Sequence, residues 1–257
     1  MDLSLGIAVA AVFFISAVFS MFGQGGGSLY TPTLVLLGYA TLISVSTSLV
    51  LNLVTAFFAT LVYYRQNLVD VRLAVAFIPG IVAGSFLGGA MGNFVDPGLL
   101  LWLFVAFLLG AGARMVYTYW ERTPGEELVP GHPSQSMYLI IVGFSFGVGI
   151  LSGLLGVGGG ILIVPFLIFF YKVPTKVSAG TAGFVVIFSS LFGVLGHSAY
   201  GHLDVTLILA TLVAVAVGAT LGARFMVRTK AGWVKIGFGL IMWAFAFQLI
   251  AKLVGWM

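Results

Sequence analysis

Gly23-Gln24-Gly25-Gly26-Gly27-Ser28-Leu29-Tyr30-Thr31-Pro32-Thr33-Leu34 and Gly156-Val157-Gly158-Gly159-Gly160-Ile161-Leu162-Ile163-Val164-Pro165-Phe166-Leu167 are one twelve-residue unit written twice, with seven identical positions. Each copy is a glycine cluster that opens a short apolar run containing a proline. After one inserted residue the correspondence continues. Thr47 pairs with Thr181, Asp70 with Asp204, Gly84 with Gly218, Gly88 with Gly222 and Gly98 with Gly232. A register held through a whole half of the chain is a duplication, and duplicated halves are a recurrent build of secondary transporters.

The surrounding composition says what solvent these halves meet. Of 257 residues, 61% are hydrophobic and 7% are charged, against about a quarter charged in an ordinary soluble domain. Mean hydropathy is +1.18. A compact fold of this length cannot hide that much apolar surface from water, so a bilayer is the expected partner. A soluble enzyme, a nucleic-acid binder and a disordered chain are excluded on the same ground. The net charge of +4 is read as topology marking beside a membrane and not as affinity for nucleic acid. There is no cysteine, hence no disulfide, thiol nucleophile or thiolate metal site. The apolar stretch 3–22 runs into a glycine cluster without a basic leader or a cleavage signal, so it is expected to be a retained membrane segment.

Ten apolar runs are expected to be helices, at about 3–22, 28–39, 43–64, 71–92, 98–118, 137–155, 161–171, 177–200, 205–226 and 233–254. Eight can cross a bilayer, which takes roughly 20 residues. The runs 28–39 and 161–171 cannot, since twelve helical residues reach only about 18 Å. Both follow a glycine cluster, and they are expected to be broken or re-entrant helices buried in protein. The fold class is an all-α integral membrane protein of two repeats with about four to five membrane helices each. The first repeat takes 1–120, a polar cytoplasmic linker 121–136, and the second repeat 137–257. Charge orients them. With an odd number of crossings per half, ten of the eleven Lys and Arg fall on or near one side and only Lys252 near the other; an even number splits them five against six. The positive-inside rule selects the odd count. The repeats are therefore expected to be inverted, with both termini outside a multi-pass cell-membrane protein and the linker inside.

Chemistry is sought in the polar residues within these runs. Glycine lets backbone approach a ligand, and a helix starting after it presents free N–H groups and the positive end of its dipole. Two inverted copies would aim two such N-termini at one point, a neutral cradle suited to a small oxyanion. Gly25, Gly26, Gly27, Gly158, Gly159 and Gly160 form the cradle, with Gln24 and Ser28 beside it. A Cβ added at Gly26 or Gly159 is expected to push the anion away and leave the outer helix packing intact. On the third run, Ser48, Asn52 and Thr55 share a helical face. Asn52, Ser48 and the pair Thr47 and Thr181 are expected to donate to the anion, although Val186 stands opposite Asn52 and Ala182 opposite Ser48. Asp70 and Asp204 read as helix N-caps. The pairs Gly84/Gly88 and Gly218/Gly222 read as helix-packing surfaces. His197 and His202, near a helix end, are expected to be solvated at the interface. No Asp, Glu, Lys or Arg lies deep in an apolar run, so a carboxylate relay at the midplane is not expected.

The duplicated glycine turn with its proline helix (Gly25-Gly26-Gly27 with Pro32, Gly158-Gly159-Gly160 with Pro165), followed by Thr47-Ser48 and Gly180-Thr181, resembles the sulfite exporter TauE/SafE family. The resemblance spans both halves and implies transport of sulfite, sulfonates or related small anions across the cytoplasmic membrane. The reading is a secondary transporter, expected to export, working by alternating access around the two clusters. An anion channel is the alternative. A membrane enzyme would need a paired nucleophile and base, a metal cluster or paired carboxylates, and none is written here. No cofactor or metal is expected. The expected partners are a small anion and lipid, with self-association into a homo-oligomer left open.

Overall fold

The computed structural model describes residues 3–92, 94–120, 135–198, 203–228 and 232–254. Among them it forms ten helices and no strand. These are α1 (Leu3–Ser20), α2 (Gly27–Leu36), α3 (Thr41–Arg65), α4 (Val71–Met91) and α5 (Pro97–Trp120), then α6 (Gln135–Leu155), α7 (Gly160–Phe170), α8 (Thr175–Ser198), α9 (Val205–Arg228) and α10 (Gly232–Leu253). Each expected run is a helix, and the two short runs are the short helices α2 and α7. By length and composition, five of the described helices can cross a membrane: α3, α4, α6, α8 and α9. The expected linker is largely outside the described residues, at 121–134.

In lipid the hydrophobic effect does not drive one helix onto another, so contact comes from close packing of small residues and from polar bonds. The glycine pairs supply the first. A Cβ on Gly84 would lie 2.2 Å from the Phe146 carbonyl oxygen, and one on Gly222 would lie 1.7 Å from that of Ala17. Thus α4 packs against α6, and α9 against α1. The other pairings follow the same exchange of halves: α4 with α8 matches α9 with α3, α2 with α3 matches α7 with α8, and α5 pairs with α10.

The long helices α3 and α8 run antiparallel to each other. Asn52 meets Ser190, whereas further along α3 the hydroxyl of Thr60 lies beside Gly183, and Tyr63 beside Gly180. Helix starts are fixed by side chains. Asp70 Oδ1 accepts the Leu73 N–H at 3.0 Å, and Asp204 Oδ1 accepts that of Leu207 at 3.0 Å, as expected of N-caps. Basic side chains close helix C-termini. Lys176 Nζ donates to the Val227 carbonyl at the end of α9 and Lys252 Nζ to that of Val35 at the end of α2.

Candidate functional site

Between α1 and α2, and again between α6 and α7, the backbone leaves the helix through glycine. Gly25 (φ 68°) and Gly158 (φ 80°), equivalent in the repeat, both take the left-handed conformation, which costs other residues energy. That turn brings the two clusters into backbone contact. A Cβ on Gly27 would lie 2.2 Å from the Gly156 carbonyl oxygen, and one on Gly160 would lie 2.6 Å from Gln24 Cα. The segments 23–27 and 156–160 therefore cross, each glycine making room for the other chain.

The side chain of Asn52, halfway along α3, lies at this crossing. A Cβ on Gly25 would sit 1.7 Å from its Oδ1, and one on Gly158 would sit 1.7 Å from its Nδ2. Its Oδ1 accepts the Gly27 N–H at 3.2 Å, and its Nδ2 donates to Ser190 Oγ at 2.9 Å. The Gly27 N–H, which can only donate, fixes which end of the amide is oxygen. Asn52 is fully buried, where such bonds are stronger than in water and an unmet group is costly.

The two helix N-termini at the crossing are not equally satisfied. At α2 the Gly27 N–H is taken by Asn52, and only that of Ser28 meets no acceptor among the described residues. At α7 the N–H groups of Gly160 and Ile161 meet no acceptor among the described residues; the first bonds inside that turn are those of Leu162 and Ile163 to the Gly159 carbonyl. Around the crossing, several buried polar atoms have no hydrogen-bond partner: Gln24 Oε1, Thr47 Oγ1 and Ser48 Oγ. Ser48 is one turn from Asn52 on the same face of α3. Ser28 is buried in the first turn of α2.

Beside Ser190 a cluster of three hydroxyls ties α4, α6 and α8 together. Ser189 Oγ lies 2.9 Å from Ser85 Oγ and 2.7 Å from Ser152 Oγ. On the α2 side, Tyr30 Oη lies 2.8 Å from Thr55 Oγ1.

The sequence-expected residues Gln24, Gly25, Gly26, Gly27, Ser28, Asn52, Gly158, Gly159 and Gly160 come together at the crossing or in the turns that form it. Thr181 lies on the stretch of α8 that packs on Gly23, where a Cβ on Gly23 would meet the Ala179 carbonyl, but its hydroxyl is committed elsewhere: its Oγ1 accepts the Asp70 N–H at 2.9 Å.

Two expectations are corrected. A Cβ at Gly26 would lie 2.2 Å from the Tyr30 ring of α2 itself, and at Gly159 (φ 77°) it would lie 2.7 Å from Val148 Cγ1 on the long helix α6. Both substitutions would break packing. Nor is His197 solvated. It is 0% exposed, and its Nε2 is 2.9 Å from the Gly153 carbonyl oxygen. A carbonyl only accepts, so Nε2 carries the hydrogen. His202 lies outside the described residues. Ser190 was not among the expected site residues, and the role of His197 was missed, although the latter had a signal: its repeat equivalent is Tyr63, another ring bearing a polar hydrogen.

The family profile "Sulfite exporter TauE/SafE" matches residues 8–249. The chain is 28% identical over 242 residues to "Probable membrane transporter protein YunE" of Bacillus subtilis, covering 86% of this chain and 88% of that one. It is 28% identical over 255 residues to a "Probable membrane transporter protein" of Xylella fastidiosa, covering 96% and 95%. It is 23% identical over 220 residues to "Probable membrane transporter protein YdhB" of Bacillus subtilis, covering 85% and 89%. No solved structure matches the chain significantly.

Proposed function

This chain belongs to the sulfite exporter TauE/SafE family, and on that premise we propose that it is a secondary transporter of a small anion, such as sulfite, a sulfonate or another sulfur oxyanion. The anion sits at the crossing of the two glycine clusters, and alternating access opens that point to each side in turn. One observation carries this reading: two helix N-termini converge on a buried point where the N–H groups of Gly160 and Ile161 have no acceptor. Unmet backbone donors in a dry interior cost free energy until something accepts from them. Hydrogen bonds to a charged acceptor contribute about 1.5–3 kcal/mol each, so several offset much of an anion's desolvation without a basic side chain. Gln24, Ser28, Thr47, Ser48 and Asn52 add polar groups to the same region.

The inverted arrangement of the repeats is part of the proposal. Its support is the antiparallel packing of α3 on α8. Two repeat-equivalent helices that run antiparallel are related by an axis across their length, hence by an axis in the membrane plane. A transporter built this way presents related halves to the two faces. The export direction rests on the family's description, and the outside placement of the termini on the asymmetry of the basic residues.

The test is counterflow. Purified protein in liposomes preloaded with unlabelled sulfite should take up external labelled sulfite faster than empty liposomes do, with saturation. Thiosulfate, sulfoacetate, taurine and simple carboxylates should compete to different degrees. Uptake that rises linearly with concentration and ignores the preload, for every anion tried, would refute the carrier.

A further inference from the structure

The fold fills one of the two converging N-termini with its own side chain. The Asn52 carboxamide lies between Gly25 and Gly158, with its Oδ1 on the Gly27 N–H at 3.2 Å and its Nδ2 on Ser190 Oγ at 2.9 Å. The position equivalent to Asn52 in the second half is Val186, whose Cγ1 lies beside Gly158 and offers no acceptor, and the N–H groups of Gly160 and Ile161 are unmet.

We propose that the Asn52 carboxamide oxygen is a tethered stand-in for one oxygen of the transported anion: it closes the crossing at rest and must leave the Gly27 N–H for the anion to bind. This rests on the reading that the crossing is the anion site. The chemistry of exchange is balanced. The Gly27 N–H trades a neutral carbonyl for a charged oxygen, and bonds to charged acceptors are roughly twice as strong as neutral ones. The displaced carboxamide has somewhere to go, because Ser48 Oγ, one turn away on the same face of α3, is buried without a partner. An empty transporter thus keeps no naked donor at Gly27, while α7 keeps a free pair where an entering anion makes its first bonds. The stand-in also favours charged over neutral solutes of the same shape, since a neutral amide or alcohol gains nothing by displacing another neutral acceptor.

The experiment measures binding of sulfite, and separately of thiosulfate, to the purified full-length protein by calorimetry, with melting temperature as the folding control. Removing the stand-in should tighten binding. Asn52→Ala is expected to lower Kd by about three- to tenfold, the worth of one neutral hydrogen bond. Asn52→Ser, which keeps a small polar group if the alanine variant unfolds, should act in the same direction but less. Asn52→Asp, nearly the same shape, puts a carboxylate on the Gly27 N–H and should weaken binding by at least about tenfold at pH 8. If the parent binds either probe and Asn52→Ala or Asn52→Ser binds it more weakly, Asn52 is an ordinary ligand and the stand-in is refuted, with the anion site itself intact. If neither the parent nor these variants bind either probe, both the stand-in and the site it rests on fall.

Discussion

The two halves of the molecule solve the same packing problem with different side chains. In the first half, Tyr63 near the end of α3 donates its hydroxyl to the carbonyls of Ser20 and Met21 at 3.1 and 2.7 Å, pinning the end of α1. In the second, His197 near the end of α8 donates Nε2–H to the carbonyl of Gly153 near the end of α6 at 2.9 Å. Tyr63 and His197 are repeat equivalents, and so are Ser20 and Gly153. What the duplication has kept is therefore a donor on a ring, reaching the backbone where a helix gives way to a glycine cluster. At the crossing the halves part: Asn52 accepts from the α2 N-terminus, and Val186 has no polar atom to offer the α7 N-terminus. Architecture and the ring donor are duplicated, the amide at the crossing is not, and that asymmetry lies at the proposed anion site.

The largest expected effect falls on what the halves share. Gly27→Ala and Gly160→Ala each drive a Cβ into the other cluster's backbone, which cannot swing away as a side chain can. Overpacking of this kind costs about 1–3 kcal/mol and occasionally more, and here each should reach the upper end. Both variants should melt well below the parent in detergent, and by similar amounts. If one melts like the parent, the crossing is not the symmetric joint described above.

A middle-sized effect separates the two ring donors. Tyr63→Phe leaves the Met21 carbonyl short of a donor, the Ser20 carbonyl keeping the Gly23 N–H, and His197→Leu leaves that of Gly153 short; the cost of each is about 1–3 kcal/mol. His197→Gln restores an N–H within reach of Gly153 and should regain most of the lost stability and keep transport. The comparison breaks if His197→Gln melts like His197→Leu, or if it melts like the parent yet no longer transports. The second result would make the histidine a participant in the cycle rather than a pin.

Much of this was legible in the residues. All ten helices fall on the ten apolar runs, because a bilayer forces backbone bonding inside each segment and leaves composition to mark the boundaries. The glycine repeat marked the turns, and Asp70 and Asp204 marked the starts of α4 and α9. Asn52 stood out as an amide in an apolar run. What its carboxamide does was not legible, since that depends on how α3 packs against two clusters 133 residues apart in the chain. His197 was misjudged because a polar residue near a helix end usually reaches water; α4 and α6 cover it here, with Gly89 and Gly92 allowing the approach and Gly153 supplying the carbonyl. The alignment with Tyr63 carried the correction all along.

The smallest expected effect sits on the threonine pair. Thr181 Oγ1 accepts the Asp70 N–H and so ties α8 to the start of α4. Its equivalent Thr47 is buried, and its Oγ1 has no partner. Valine is nearly isosteric with threonine, so the two substitutions test the hydroxyls alone. Thr181→Val should cost about 1 kcal/mol through the lost bond, read as a small drop in melting temperature, and should leave transport close to the parent's because its hydroxyl is already held by the Asp70 N–H. Thr47→Val should leave the melting temperature unchanged or raise it slightly, since it removes a buried polar atom that has no partner to lose. If Thr47 lends its hydroxyl to the anion, the same variant should raise the KM for sulfite several-fold. A Thr47→Val protein that melts lower than Thr181→Val and transports normally would show that Thr47 is structural in this half too, and would remove it from the proposed site.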